Sequence, residues 1–268
     1  MLGAGRSAGA STGVGTGAPI TLLAQQLTQG GWARGQADAV LALDLDGTPV
    51  TKDERGGFFI AFDRNAPPSA VLTGRGPNGR ETALPLTIAP RAWQIEHIDA
   101  PMRPPKMPSG EFWRLRAAEL ARIAAARAKV TGADGWSQAM LRPVEGRISG
   151  RFGSQRVYRG EPGSYHSGLD IAARTGTPIL APADGVVILA AASPFTLEGR
   201  LLMLDHGMGL SAAFLHCSAH RVAEGDVVRR GQAIAEVGMT GRATGPHLHW
   251  GLKWREARLD PLLFLLPA

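Results

Sequence analysis

Short apolar runs cut by turn residues dominate the chain, and a helical pattern shows in one stretch. Between residues 20 and 98 the runs Ala39-Val40-Leu41-Ala42-Leu43, Gly57-Phe58-Phe59-Ile60-Ala61-Phe62, Ala70-Val71-Leu72 and Thr82-Ala83-Leu84-Pro85-Leu86 alternate with Asp46-Gly47 and Gly76-Pro77-Asn78-Gly79. Runs of this length between Gly, Pro, Asn and Asp favour strands, because the turn residues accept backbone angles that other residues resist. They predict a small antiparallel sandwich or barrel. Ser109 through Val130 differs: Phe112, Leu115, Ile123, Ala126 and Val130 fall on one stripe at helical spacing, among Ala, Arg and Leu. This predicts a helix that packs on a domain surface rather than lying on a membrane, and ends at Gly132 to Gly135. From Arg142 the strand pattern returns, as in Gly185-Val186-Val187-Ile188-Leu189, Leu201-Leu202-Met203-Leu204 and Ala233-Ile234-Ala235-Glu236-Val237.

The expected fold class is therefore mainly β. An all-β, antiparallel C-terminal domain should span 141–268, and a small β accessory module 20–100. A basic linker and helix should connect them over 101–140, opening on the proline-rich stretch Pro101 to Pro108. Residues 1–19, rich in Gly, Ala, Ser and Thr, read as a disordered leader without the apolar core of a secretory signal. The Gly-rich opening of the N-terminal stretch, with "DLDGTPV" and "GGFFIAF", looks like bacterial immunoglobulin-like accessory modules.

Composition narrows the function. With 44% hydrophobic and 19% charged residues in 268, the chain has the make-up of a folded globular protein. No apolar run is long enough for a membrane-spanning helix. Cys217 is the single cysteine, which excludes an intrachain disulfide and a thiolate metal cluster. The net charge of +6 is unevenly spread: residues 102–140 carry 7 basic and 3 acidic side chains. Such an excess suits an anionic polymer, nucleic acid or bacterial cell wall. No nucleic-acid-binding motif accompanies it, so no nucleic acid partner is expected.

The chemistry concentrates in histidines. Four of the seven lie in three motifs: His166 with Asp170 in Tyr165-His166-Ser167-Gly168-Leu169-Asp170, His216 alone, and His247 with His249 in Gly245-Pro246-His247-Leu248-His249-Trp250. Residues two apart on a strand share a face, so His247 and His249 should project together; His166 and Asp170 can do the same if their stretch is extended. Imidazole and carboxylate are the donors of catalytic zinc, which takes three protein ligands and leaves a position for water. Zinc lowers that water's pKa and polarises a scissile carbonyl. Without a His-Glu-x-x-His helix no glutamate is offered as base, so histidines outside the ligand set could handle the water's proton and the developing oxyanion. A structural zinc is disfavoured, since closed structural sites use four protein ligands, usually with cysteine.

In order along the chain, "HSGLDIAARTGTPILAPADGVV", "LDHGMGLSAAFLHCS" and "EGDVVRRGQAIAEVGMTGRATGPHLHW" resemble the lysostaphin/LytM-type zinc metallopeptidases over residues 147–252. The resemblance implies an antiparallel β-sheet domain with zinc in a groove. It implies His166, Asp170 and His249 as metal ligands and His216 and His247 as catalytic histidines that do not bind the metal. It further implies hydrolysis of peptide crosslinks of bacterial peptidoglycan by zinc-activated water. The compartment inferred from that substrate is the periplasm or the cell exterior. The alternative is a non-enzymatic regulator of the same fold that binds the wall or activates a partner amidase; such relatives usually lack ligands, and this chain lacks none. A zinc peptidase acting on soluble protein is a further rival. Because family members can be blocked by a preceding segment that supplies a ligand, intramolecular inhibition by residues 99–140 is expected, through Asp99, Glu111 or Asp134.

The remaining candidates have plainer readings. Where the family often has Leu after the mid-chain histidine, this chain has Cys217, which reads as a small buried apolar residue. Tyr158 and Tyr165 are the tyrosines available to assist an oxyanion, as one does in some family members. His206 and Asp184 read as turn residues, and His97 and His220 as surface histidines. Gly238, Gly241 and Gly245 are not followed by a helix, so they read as shaping the approach to His247 rather than cradling phosphate.

Overall fold

A computed structural model describes residues 18–101 and 109–265. The expected leader lies outside these residues except at its end, as does Met102 to Pro108 of the expected linker. The N-terminal stretch forms β1 (Ile20–Gln26), β2 (Trp32–Ala37), β3 (Ala42–Leu45), β4 (Thr48–Val50), β5 (Gly57–Ala61), β6 (Ser69–Arg75), β7 (Glu81–Thr87) and β8 (Ile95–Ile98), followed by helix α1 (Ser109–Arg127). Next come β9 (Arg147–Gly150), β10 (Gln155–Tyr158), β11 (Glu161–Pro162), β12 (Leu169–Ala172), β13 (Pro178–Leu180), β14 (Gly185–Ala190) and β15 (Arg200–Gly207). The chain closes with β16 (Leu210–Cys217), β17 (Ala219–His220), β18 (Val227–Val228), β19 (Ala233–Glu236), β20 (His247–Trp254) and β21 (Ala257–Leu259). The protein is mainly β, as the patterning predicts.

Strands β1-β2-β5 and β4-β3-β6-β7 make two antiparallel sheets. Alternation sets the faces: Ala70 and Leu72 on β6 are buried while Ser69, Val71 and Arg75 are exposed. The expected strand at 39–43 begins later, at Ala42. The Leu41 amide donates to the Asp38 carbonyl at 3.0 Å, closing a turn that leaves Val40 69% exposed.

The main sheet runs β18-β14-β15-β16-β20-β12-β9, with β21 on β20. Its long strands are antiparallel. On β20, Leu248, Trp250, Leu252 and Trp254 are buried, whereas His247, His249, Gly251 and Lys253 form the other face.

One hydrophobic core joins the N-terminal strands to the inner face of this sheet. Phe59 sits 6.2 Å from Trp32 and 6.3 Å from both Trp254 and Phe264, measured between ring centroids. The Trp32 indole N–H donates to the Leu263 carbonyl at 2.9 Å. Strand β8 also pairs in parallel with β10. Aromatic side chains contribute about 1.5–3 kcal/mol each on full burial, so this seam is energetically continuous with the sheet.

Helix α1 packs Ile123 and Ala126 on the opposite face, against Ile188, Leu201, Met203 and Ala213. It ends at Arg127, short of the expected Val130, which is 96% exposed. Beyond the last turn Lys129 Nζ donates to the Ile188 carbonyl and the Thr131 hydroxyl to Asp205, and these bonds take the chain off the helical path before any glycine. Among the described residues no helix is long and apolar enough to cross a membrane.

Candidate metal centre

Three side chains converge on the polar face of β20. His166 Nε2 lies 3.0 Å from Asp170 Oδ1 and 3.0 Å from His249 Nδ1, and His249 Nδ1 lies 2.8 Å from Asp170 Oδ1. The register places Asp170 of β12 directly opposite His249 of β20. Among the described residues this is the one set of three or more His, Cys, Asp or Glu side chains whose ligand atoms cluster so closely.

His166 reaches the cluster differently from the strand expectation, since β12 begins only at Leu169. The backbone around His166 is instead clasped to the turn at 151–154. Its amide donates to the Ser154 carbonyl at 2.7 Å, its carbonyl accepts from the Gly153 amide at 2.8 Å, and its Nδ1 lies 3.0 Å from the Arg151 carbonyl. That last bond puts the proton on Nδ1 and leaves Nε2 free to ligate, the usual outer-shell device of metal-binding histidines. Gly168 is required by space: a Cβ there would lie 2.6 Å from His249 Nε2 and 2.6 Å from the Trp250 carbonyl oxygen.

The turn at 151–154 is held from the connection between β5 and β6. Arg64, which is 7% exposed, donates from Nε (3.0 Å) and Nη2 (2.8 Å) to the Gly153 carbonyl. Its guanidinium lies 4.7 Å over the Tyr165 ring and 5.0 Å over Trp93. Tyr165 is thus packed beside the centre, and Tyr158 pairs with Glu161 and Ile98 in the small sheet.

His216 and His247 stand next to the cluster, with ring centroids 4.8 Å apart. His216 has φ 65, the left-handed region, where the β15–β16 register shifts. The irregularity sends Cys217 into the core, fully buried as expected, and turns His216 towards His247. His216 Nδ1 lies 2.8 Å from the Thr240 carbonyl and His247 Nδ1 2.8 Å from the Gly245 carbonyl, so each ring carries its proton on Nδ1 and presents a bare Nε2. His247 Nε2 is 3.8 Å from Asp170 Oδ1.

Burial pushes the His216 imidazolium down to about 4, an effect that the Thr240 carbonyl only partly offsets. Burial likewise lowers His249. For Asp170 burial acts upward, but the adjoining His166 and His249 rings outweigh it and hold the carboxyl well below its ordinary range. Burial opposes the His166 charge too, yet Asp170 leaves that group raised. The carboxylate is ionised, as a metal ligand must be.

The donor set fits zinc: two imidazole nitrogens and one carboxylate oxygen, close enough to touch a single ion at about 2 Å each, with no fourth protein ligand among the described residues.

Other candidates sit elsewhere. Asp99 pairs with Arg159, its side chain 94% exposed, Glu111 is exposed in the first turn of α1, and Asp134 precedes a short 3-10 turn. None joins the ligand cluster, so the expected fourth ligand from residues 99–140 is not found among the described residues. His206 is no turn residue: it lies in β15, fully buried because that strand is covered on both faces, with Nδ1 2.7 Å from the Asp184 carbonyl. His220 is half-buried rather than on the surface, and its Nε2 lacks a partner; His97 is exposed. Asp184 accepts from the Arg230 amide and the Arg229 guanidinium, in keeping with a turn role. The His247 amide donates to the Gly238 carbonyl at 3.3 Å, and Gly241, at φ 72, packs against Gly199. These glycines therefore shape the loop that supplies the Thr240 and Gly245 carbonyls.

A β-sheet domain with a two-histidine, one-aspartate cluster and two flanking imidazoles has the form of a metal-dependent hydrolase. Residues 164–261 match the model of peptidase family M23. A crystal structure described as an M23 peptidase from Pseudomonas aeruginosa superposes with a TM-score of 0.65 and 30% identity, covering 90% of this chain and 95% of that one. The chain belongs to peptidase family M23. It is 39% identical over 132 residues to the DD-carboxypeptidase/endopeptidase Mpg of Neisseria meningitidis, covering 46% of this chain and 28% of that protein. It is 39% identical over 110 residues to the peptidoglycan DD-endopeptidase ShyA of Vibrio cholerae, covering 40% of this chain and 24% of that protein. The matched stretch thus spans about a quarter of the length of these curated relatives.

Proposed function

We propose that the chain is a zinc-dependent endopeptidase that hydrolyses peptide crosslinks of bacterial peptidoglycan, working in the cell envelope. The observation that carries this reading is the convergence of His166 Nε2, Asp170 Oδ1 and His249 Nδ1 beside two imidazoles with bare Nε2 atoms. The DD-endopeptidase named among the relatives supports the substrate class.

His166, Asp170 and His249 would hold the ion. Bound zinc supplies Lewis acidity, which acidifies water and polarises the scissile carbonyl. The protein's own residues do the rest. His216 is neutral at neutral pH because its burial disfavours the charged form, so its Nε2 lone pair can take a proton from the attacking water. His247 is locked in the same tautomer by Gly245, and its ring lies 4.8 Å from that of His216. Between them these two Nε2 atoms accept the water's proton, stabilise the developing oxyanion once protonated, and return the proton to the leaving nitrogen. The Thr240 and Gly245 carbonyls keep both rings in register through the cycle.

The test is direct. Purified full chain should bind about one zinc per molecule and release cleaved products from cross-linked muropeptides, and a chelator should abolish both. Zinc binding without cleavage of any crosslink would favour the regulatory reading over catalysis.

A further inference from the structure

A cavity of about 180 Å³ opens between α1 and the outer face of the main sheet, and His249 lies on its lining. Its lining is mixed: Leu120 and Ile123 from the helix face Met203, Ala213 and Leu215 from the sheet, and Ser167 and Glu198 add polar groups. Three basic side chains, Arg127, Lys253 and Arg258, also line it. Arg116 also lines it but is already neutralised by Glu198 at 2.6 Å and Glu119 at 3.1 Å. Lys253 pairs at 2.8 Å with Glu256, whose own side chain is 97% exposed and so weakly held. Among the described residues, Arg127 and Arg258 have no carboxylate within ion-pair distance.

Resting on the endopeptidase reading, we propose that this cavity is a substrate subsite for an aliphatic side arm ending in a carboxylate, seated next to the bond that is cut. The chemistry is complementary at both ends. The volume admits a side arm rather than a peptide, and the aliphatic part of the lining gains from covering methylene groups. The planar guanidinium groups of Arg127 and Arg258 can take a carboxylate as forked donors. Because Gly251 and His249 share this lining, an occupant is held beside the metal ligands. Helix α1 is then one wall of the substrate cleft, and the net positive charge of the chain is partly spent here.

The experiment uses the zinc-loaded full chain and two substrates: cross-linked stem-peptide dimers with free side-arm carboxylates, and the same dimers with those carboxylates amidated. The wild-type protein should show about tenfold higher kcat/KM on the free acids, carried by KM and shrinking with added salt. The double variant Arg127→Gln/Arg258→Gln should bring that ratio close to one while keeping its zinc content. Equal kcat/KM of the wild type on both dimers, or a preference retained by the double variant, overturns the subsite. If neither dimer is cleaved, the endopeptidase reading fails, and the subsite is judged by binding. Fluorescence anisotropy of labelled dimers must then show the same preference, dependent on Arg127 and Arg258; equal binding overturns it.

Discussion

Arg64 lies in the turn between β5 and β6, yet it holds the turn against which His166 is docked. Replacing it with Gln removes two charge-assisted hydrogen bonds to the Gly153 carbonyl and the stacking on Tyr165 and Trp93. Bonds of this kind contribute roughly 1.5–3 kcal/mol, and a desolvated guanidinium over an aromatic ring adds about 1 kcal/mol or more. A loss of about 2–4 kcal/mol in stability follows, with a carbonyl left short of its buried donor. The more telling effect is on metal. Gly153 and Ser154 bracket His166 by backbone bonds at 2.8 and 2.7 Å, so loosening the turn loosens a ligand. Outer-shell changes of this sort cost about 10–100-fold in metal affinity. Zinc affinity of Arg64→Gln, measured by competition with a chromophoric chelator, should fall by that amount. Arg91→Gln is the control, because Arg91 bridges the same two parts of the chain through Asp260 at 2.8 Å but makes no hydrogen bond to the turn. It should lower thermal stability and keep wild-type zinc affinity. Unchanged zinc affinity in Arg64→Gln would show that the turn does not hold His166 in place for the metal.

Three further outcomes follow from the geometry. His249→Ala should lose zinc as well as activity, whereas His247→Ala and His216→Ala should retain zinc and lose about 10²–10⁴-fold in kcat; metal analysis beside kinetics checks this. His206 is fully buried and its imidazolium is pushed down by burial, so its contribution to stability is present above its unfolded pKa near 6.5 and is lost as pH falls below it. Thermal midpoints between pH 7 and pH 5 should therefore fall less steeply in His206→Gln than in the wild type, and equal slopes would count against that. Phe59→Ala should cost about 3–5 kcal/mol and shift a single calorimetric transition, because Phe59 touches aromatic groups from both parts of the chain; two separate transitions would contradict a shared core.

Period-two patterning made most of the architecture legible. On β20 the alternation of Leu248, Trp250 and Leu252 with His247 and His249 predicts both the buried face and the placement of the two imidazoles. Ile123 and Ala126 likewise mark the buried face of α1. What stayed hidden depends on contacts distant in sequence or on irregular backbone. His166 reaches the cluster from a loop, through bonds to a turn twelve or more residues away. The positive φ of His216 is a local departure that no hydrophobic pattern announces. Nothing around Arg64 hints at a partner 89 residues on, and the Phe59–Trp254 seam has no local signature either. The early end of α1 reflects competing tertiary bonds from Lys129 and Thr131, which helix propensity does not contain.

The division of labour within the His247–Leu248–His249 pair is the centre of the account, and one paired measurement reaches it. Zinc content and cleavage of cross-linked muropeptides are determined on the same preparations of wild type, His247→Ala and His249→Ala. Wild type should show about one zinc and full cleavage, His247→Ala zinc without cleavage, and His249→Ala neither. Zinc retained in His249→Ala, or intact crosslinks in the zinc-loaded wild type, would contradict it.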